Sequence, residues 1–201
     1  MKGKQAVFIA AAFVLGFAAI ILWSRANPAH YTYKATVIDP PAEASDFALM
    51  QEDGTIFRLS EQEGQIVLLY FGFTHCPDVC PTTLVDVKRA FVELEEKSKE
   101  VTLVFITVDP ERDTVEKMAD YASAFHPDFI ALSGTEEELG PIYESYGVYR
   151  EKEMVDSEID YLYAHTAIIY VIDRAGRWRM SFPFGMGPEA MADDLSHLLK
   201  E

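Results

Sequence analysis

The stretch QIVLLYFGF, residues 65–73, constrains the fold of this chain more than any other. It is uncharged throughout and, from Ile66 on, apolar or aromatic at every position, so neither face of a strand built from it suits water. Strands buried on both faces belong to sheets covered by helices on both sides. The segments that follow agree. PTTLVDVKRAFVELEEKSKE puts Leu84, Val87, Phe91 and Leu94 at helical spacing, with Pro81 suited to a first turn. A second apolar run, VTLVFITV (101–108), leads through DPERDT into a helical stretch reaching about Phe125. FIAL (129–132) reads as a third strand and TEEELGPIYESYG as a helix that Pro141 is placed to kink.

Upstream, DFALM (46–50), the turn QEDG and TIFRLS (55–60) have the pattern of a hairpin. Downstream, the charged, β-leaning VYREKEMVDSEIDYLY (148–163) reads as an inserted hairpin. HTAIIYVID (165–173) and RWRMSFPF (177–184) pair about the turn RAG, and GPEAMADDLSHLLKE closes as an amphipathic helix. A cysteine loop sits where the first central strand meets its helix, which is where open sheets build sites. The expectation is an α/β, thioredoxin-like fold: a central mixed sheet flanked by helices, with an N-terminal hairpin and an inserted hairpin.

Residues 6–23, AVFIAAAFVLGFAAIILW, carry no charge. As a helix they span about 27 Å, close to a bilayer's hydrocarbon core. The run exceeds the apolar part of a secretory signal, and SRANPAHY after Trp23 has no A-x-A pattern, so an uncleaved anchor is expected, with cleavage the minority alternative. Lys2, Lys4 and the α-amino group ahead of it outweigh Arg25 behind it, which predicts a cytoplasmic N-terminus and an exported remainder. The expected layout is a cytoplasmic stub and single transmembrane signal anchor over 1–25, with Trp23 at the interface, a Pro- and Ala-rich tether over 26–44, and a folded domain over 45–201. The net charge of −16, less the +3 of the first 25 residues, leaves −19 on the rest. Phosphate backbones repel so acidic a domain, which argues against nucleic-acid binding. A solvated acidic surface is the plain reading, and a basic protein partner the sharper one.

Cys76 and Cys80, the only cysteines, lie in GFTHCPDVCPTT (72–83). Export permits a disulfide, but so short a loop removes little chain entropy, so stapling is a weak motive. The spacing is C-x-x-x-C, not the C-x-x-C of thioredoxin-type redox enzymes. At i and i+4 two side chains share a helix face, and the loop before the helix leaves Cys76 free to adjust. Both sulfurs can therefore converge on one ion, or close reversibly to a disulfide. The helix N-terminus predicts a depressed thiol pKa at Cys80. Thiolate serves nucleophilic exchange and metal binding alike, so the motif alone does not choose.

A metal needs further ligands, and there are five histidines. His30 lies in the tether, His197 on the outer side of the last helix, and His126 at a helix end where capping is expected. His75 adjoins Cys76 and points elsewhere. His165 begins the strand TAIIYVID, which a thioredoxin-like sheet sets beside the cysteine loop. Two thiolates and one imidazole make a soft site that favours Cu(I) and can hold Cu(II) with a weak extra ligand, one copper per chain. Structural zinc wants a fourth strong ligand. Asp78 or Asp109 could supply one, although nothing requires it; the ERD of DPERDT reads as loop-structuring.

At these residues the chain resembles the Sco (SenC) family of copper-handling, membrane-anchored thioredoxin-fold proteins. The resemblance rests on YFGFTHCPDVCPTTL (70–84), ITVDPERDT (106–114), YLYAHTAIIYVID (161–173) and the N-terminal anchor, and covers roughly residues 45–200. It implies that Cys76, Cys80 and His165 are copper ligands. It also implies delivery of copper to, or reduction of, the dinuclear CuA site in subunit II of cytochrome c oxidase, or of another cuproprotein, with copper arriving from a donor protein. The place implied is the outer, periplasmic face of a bacterial plasma (inner) membrane or its organellar equivalent. Ala164 stands where many members have aspartate, and Val115 where proline is common; neither change removes a ligand. Two roles stay open. A metallochaperone needs all three residues, whereas a thiol–disulfide oxidoreductase needs only Cys76 and Cys80 as a redox pair. An anchored peroxidase-like protein fits less well, because it would pair one attacking cysteine with a separate resolving one.

Overall fold

The uncharged run at 65–73 folds as the central strand it predicts: β4 (Ile66–Gly72) is buried at every position. In the computed structural model it pairs in parallel with β5 (Val101–Thr107), which pairs in parallel with β6 (Ile130–Leu132). On its other side β4 runs antiparallel to β9 (Ile168–Ile172), and β9 antiparallel to β10 (Arg177–Pro183). With β1 (Thr36–Glu43) at the edge, the mixed sheet has the order β1-β10-β9-β4-β5-β6. This is the expected α/β, thioredoxin-like arrangement, and it sets the end of β4 next to the start of β9.

The structure describes residues 31–154 and 161–201, together with positions 16, 17 and 23. The chain divides into two compact units, 1–32 and 33–201. In the first, Gly16, Phe17 and Trp23 are helical. Most of the expected transmembrane segment at 6–23 lies outside the described residues, as does His30. Among the described residues no helix is long and apolar enough to cross a membrane.

The tether is shorter than its composition suggests. Thr36–Glu43 pair with β10, and the compact unit begins at Tyr33 rather than at residue 45. Pro40 and Pro41 disguise this strand. A residue without an N–H is tolerated where only one side of the strand is laddered, and the register shifts between Val37 and Ala42, across the two prolines.

Helix α1 (Val79–Leu94) buries Leu84, Val87, Phe91 and Leu94, the four positions its spacing marks, and packs against α4 (Pro188–Leu198). Helix α2 (Val115–Ser123) starts without a proline because the Thr114 side chain accepts the Lys117 N–H at 3.3 Å. Pro141 sits inside α3 (Glu136–Ser145) without ending it. A capping box between Thr135 and Glu138 and the burial of Leu139, Ile142 and Tyr143 offset one missing backbone hydrogen bond.

Two hairpins stand apart from the sheet. β2 (Ala48–Met50) and β3 (Ile56–Arg58) pair as the sequence predicts, with Leu49 opposite Phe57 and both buried. β7 (Arg150–Met154) and β8 (Tyr161–His165) form the inserted hairpin, whose tip, 155–160, is outside the described residues. Here the reading of 165–173 as one strand needs correction. His165 is the last residue of β8, opposite Arg150, and β9 begins only at Ile168. The Thr166 N–H donates to the Tyr149 carbonyl at 3.0 Å, and its hydroxyl accepts the Tyr149 N–H at 2.9 Å. Those bonds close the hairpin and separate the histidine from the strand that follows.

Candidate metal centre

Gly72 ends β4 with no side chain because none would fit. A Cβ there would lie 2.8 Å from Cys80 Sγ and 2.7 Å from Phe105 Cε2. The chain then loops outward, with the Cys76 N–H on the Phe73 carbonyl at 3.3 Å, before α1 begins. Cys80 is in the first turn of α1 and buried, while Cys76 is half-buried above it. Asp78 is the N-cap residue but gives no side-chain cap. The sulfur of Cys76 takes that place, accepting the Cys80 N–H at 3.4 Å.

His165 reaches the same point from β8. Its Nδ1 lies 3.0 Å from the Thr166 carbonyl oxygen, which can only accept, so Nδ1 carries the hydrogen. Nε2 therefore turns its lone pair to Cys80 Sγ, 3.6 Å away. The Phe73 ring meets the imidazole edge-on at 5.7 Å and holds its plane. This backbone carbonyl fixes the tautomer without help from residue 164, an alanine paired across the hairpin with Glu151. The two sulfurs and one imidazole nitrogen all lie within 4.8 Å of one another. Metal bonds of about 2.0–2.3 Å to such atoms place trigonal ligands roughly 3.5–4 Å apart. Small side-chain adjustments would therefore close the set on one ion.

The two thiols differ. Cys76 is held down to about 4, chiefly by a hydrogen bond from the Cys80 thiol, with the N–H groups of Cys80 and Asp78 adding to it against burial. Cys80 is pushed up, by its hydrogen bond to Cys76 first and by burial second. The expectation of a depressed Cys80 is thus corrected. The N-terminal N–H groups of α1 face the sulfur of Cys76, and Cys80 is turned into the core. Cys76 is thus the thiol that gives up its proton first, and Cys80 the one that keeps it. Alkylation of Cys76 by iodoacetamide, followed by peptide mass spectrometry, is expected to change less than about twofold between pH 8 and 6, whereas an ordinary thiol slows nearly tenfold per unit. A tenfold-per-unit decline would contradict a Cys76 thiolate.

Two fully buried aspartates hold the arms of the site. Asp113 accepts the Thr74 hydroxyl at 2.5 Å, the Thr74 N–H at 3.1 Å and the Thr107 hydroxyl at 2.8 Å, which ties the cysteine loop to the end of β5. Asp109 accepts Arg112 Nε at 2.5 Å and the Tyr161 hydroxyl at 2.9 Å. The Arg112 guanidinium also donates to the Tyr161 carbonyl at 3.0 Å and lies 3.6 Å over its ring. Tyr161 opens the strand that His165 ends, so this cluster pins the histidine arm. Arg112→Ala is expected to weaken metal binding about 10- to 100-fold, as loss of an orienting partner does, while both thiols stay titratable. Unchanged affinity in a chelator competition would contradict the pinning role.

The other expected residues fall outside the cluster. His75 bonds the Thr74 hydroxyl at 3.0 Å, and His126 accepts the Asp128 N–H at 3.2 Å and stacks on Phe129. His197 is half-buried against Tyr33 rather than on an outer face. Asp109 is committed as described, and Asp78 starts α1. Sequence reasoning placed DPERDT in a loop but missed that Asp113 and Arg112 act on the two arms. Its only signal was charge crowded directly after a buried strand.

Residues 35–200 match the SCO1/SenC family. Over 137 residues the chain is 36% identical to a SCO2-like protein of Rickettsia prowazekii, covering 68% of this chain and 67% of that protein. Over 152 residues it is 37% identical to the mitochondrial SCO2 homolog of Homo sapiens, covering 75% of this chain and 57% of that one. Among solved structures, apo Sco1 from Thermus thermophilus superposes with a TM-score of 0.76 at 39% identity, covering 85% of this chain and 99% of that one. Bradyrhizobium japonicum ScoI with copper bound gives a TM-score of 0.71 at 38% identity, covering 79% and 100%.

Proposed function

This chain belongs to the SCO1/SenC family, and we propose that it binds one copper ion at Cys76, Cys80 and His165 and delivers it during assembly of cytochrome c oxidase. The recipient in this reading is the dinuclear CuA site of subunit II, or a cuproprotein like it, and a donor protein supplies the metal. The observation that carries the proposal is the convergence of two sulfurs and an oriented imidazole nitrogen within 4.8 Å. That donor set is soft and suits copper. Delivery proceeds by ligand exchange. Because Cys76 is the more exposed thiolate, a recipient thiolate displaces it first, and the oxidation state of the copper is unchanged. The uncharged run at 6–23 supports a single-pass anchor in the plasma (inner) membrane, with the N-terminus cytoplasmic and the folded unit on the outer face.

Copper affinity in this reading falls on acidification, because the ion must displace the Cys80 proton. The expected slope is at least about one proton per copper, from Cys80, and it steepens as His165 and, near 4, Cys76 take up protons. An affinity independent of pH between mildly acidic and neutral conditions would contradict it.

The lowered pKa of Cys76 beside a second thiol also supports thiol–disulfide exchange. The Cys76 thiolate attacks a partner disulfide and Cys80 resolves the mixed disulfide, so the partner gains two electrons and this chain closes a Cys76–Cys80 bridge. The test is to mix copper-loaded chain with metal-free subunit II domain, separate them and assay copper and thiols in each. Copper in the recipient is the expected result. Retained copper with reduction of an oxidised recipient would support exchange alone.

A further inference from the structure

Tyr70 and Gly72 are two residues apart on β4 and so share one face of the sheet. Cys80 packs under that face, its sulfur crowding the α-carbon of Gly72. Tyr70 is 0% exposed, and among the described residues its hydroxyl has no hydrogen-bond partner. Buried polar groups in native cores are nearly always paired, so a lone hydroxyl calls for a reason. Phenylalanine would fill the same space without it. The groups beside the hydroxyl are the Cys80 thiol and Thr83. Thr83 has already given its own hydrogen to the Val79 carbonyl at 2.8 Å. Stacking on Phe105, with ring centroids 5.6 Å apart, keeps the Tyr70 ring from turning aside, and Phe105 is itself stacked on Tyr121 at 6.0 Å.

A protonated thiol is a poor acceptor and a thiolate a good one. A metal bound through Cys80 requires the thiolate. We propose that Tyr70 is a positioning residue for the metal centre, its hydroxyl donating to the Cys80 sulfur once that sulfur ligates copper. The bond fixes the direction of the sulfur and draws electron density from it, which favours copper(I) over copper(II), since hydrogen bonding to a ligating sulfur tunes the metal's potential. The inference rests on the copper reading above and adds a residue to it.

Tyr70→Phe in the full chain tests it, with Cu(I) affinity by chelator competition, reduction potential, and melting of the metal-free and loaded forms. The metal-free variant is expected to melt at or above wild type, because only an unpaired hydroxyl is lost. Its Cu(I) affinity is expected to fall about tenfold, the order for one hydrogen bond to a charged group, and its potential to shift toward Cu(II). Thr83→Val is expected to keep Cu(I) affinity within about twofold. A Tyr70→Phe chain that melts lower without copper but binds copper normally would make the hydroxyl a structural partner of Thr83, and equal losses in both variants would do the same; either overturns the proposal. A wild type that binds no copper overturns this proposal together with the copper reading. A wild type that binds, with Tyr70→Phe indistinguishable from it, overturns this proposal alone.

Discussion

Replacing His165 with alanine is expected to lower Cu(I) affinity by at least about 100-fold and leave the fold in place. Losing a residue that only orients a ligand typically costs 10- to 100-fold, and deleting the one nitrogen ligand removes a coordinate bond outright. His165 stands at the end of a hairpin outside the main sheet, half-buried, with its imidazole against Phe73 and the Thr166 carbonyl. The buried Phe73 meets its ring edge-on, but the hairpin is not part of the main sheet, so far-UV circular dichroism should be unchanged and melting lowered only modestly. The same substitution separates the two chemistries, because thiol–disulfide exchange through Cys76 and Cys80 needs no imidazole ligand. A variant that keeps wild-type copper affinity would show His165 to be structural.

The second large effect is expected at Asp113, which touches neither the metal ligands nor solvent. Asp113→Ala removes the acceptor of three donors, two from half-buried Thr74 and one from buried Thr107. A buried donor left unpaired costs roughly 1–3 kcal/mol and the two half-buried ones less, which puts the loss on the order of 3 kcal/mol. Against a total stability of about 5–15 kcal/mol, that loss would remove a large fraction of the folding free energy. Asp113→Asn should fall between, because its amide keeps one acceptor oxygen and turns an NH₂ group toward hydroxyls that already donate. Urea unfolding with an unchanged slope measures the difference. A loss below about 1 kcal/mol for Asp113→Ala would contradict the view that this carboxylate anchors the cysteine loop.

The parts of the fold readable in the sequence are those whose composition is uniform over a whole element. QIVLLYFGF and VTLVFITV admit little other than doubly buried strands, and the helical spacing after Cys80 survives intact in α1. β1 escaped notice because Pro40 and Pro41 are loop residues everywhere except on an edge, and edge position belongs to the sheet rather than to the segment. His165 was placed one element late because TAIIYVID continues its apolar pattern, while the bonds that end the hairpin join Thr166 to Tyr149, 17 residues earlier. The thiol assignment failed for a related reason. Nearness to a helix N-terminus says which residues could feel its N–H groups, but the path of the loop decided that they face Cys76. Asp113 and Arg112 were visible only as loop charges, since what they grip lies 39 and 49 residues away.

In the proposed function Cys76, Cys80 and His165 together hold one copper ion. The most direct measurement is metal stoichiometry with X-ray absorption on the full chain loaded with Cu(I) under reducing conditions. One copper per chain, bound by two sulfurs and one nitrogen, is the expected result. Substoichiometric copper, or a site of sulfur alone that is unaltered in His165→Ala, would contradict it.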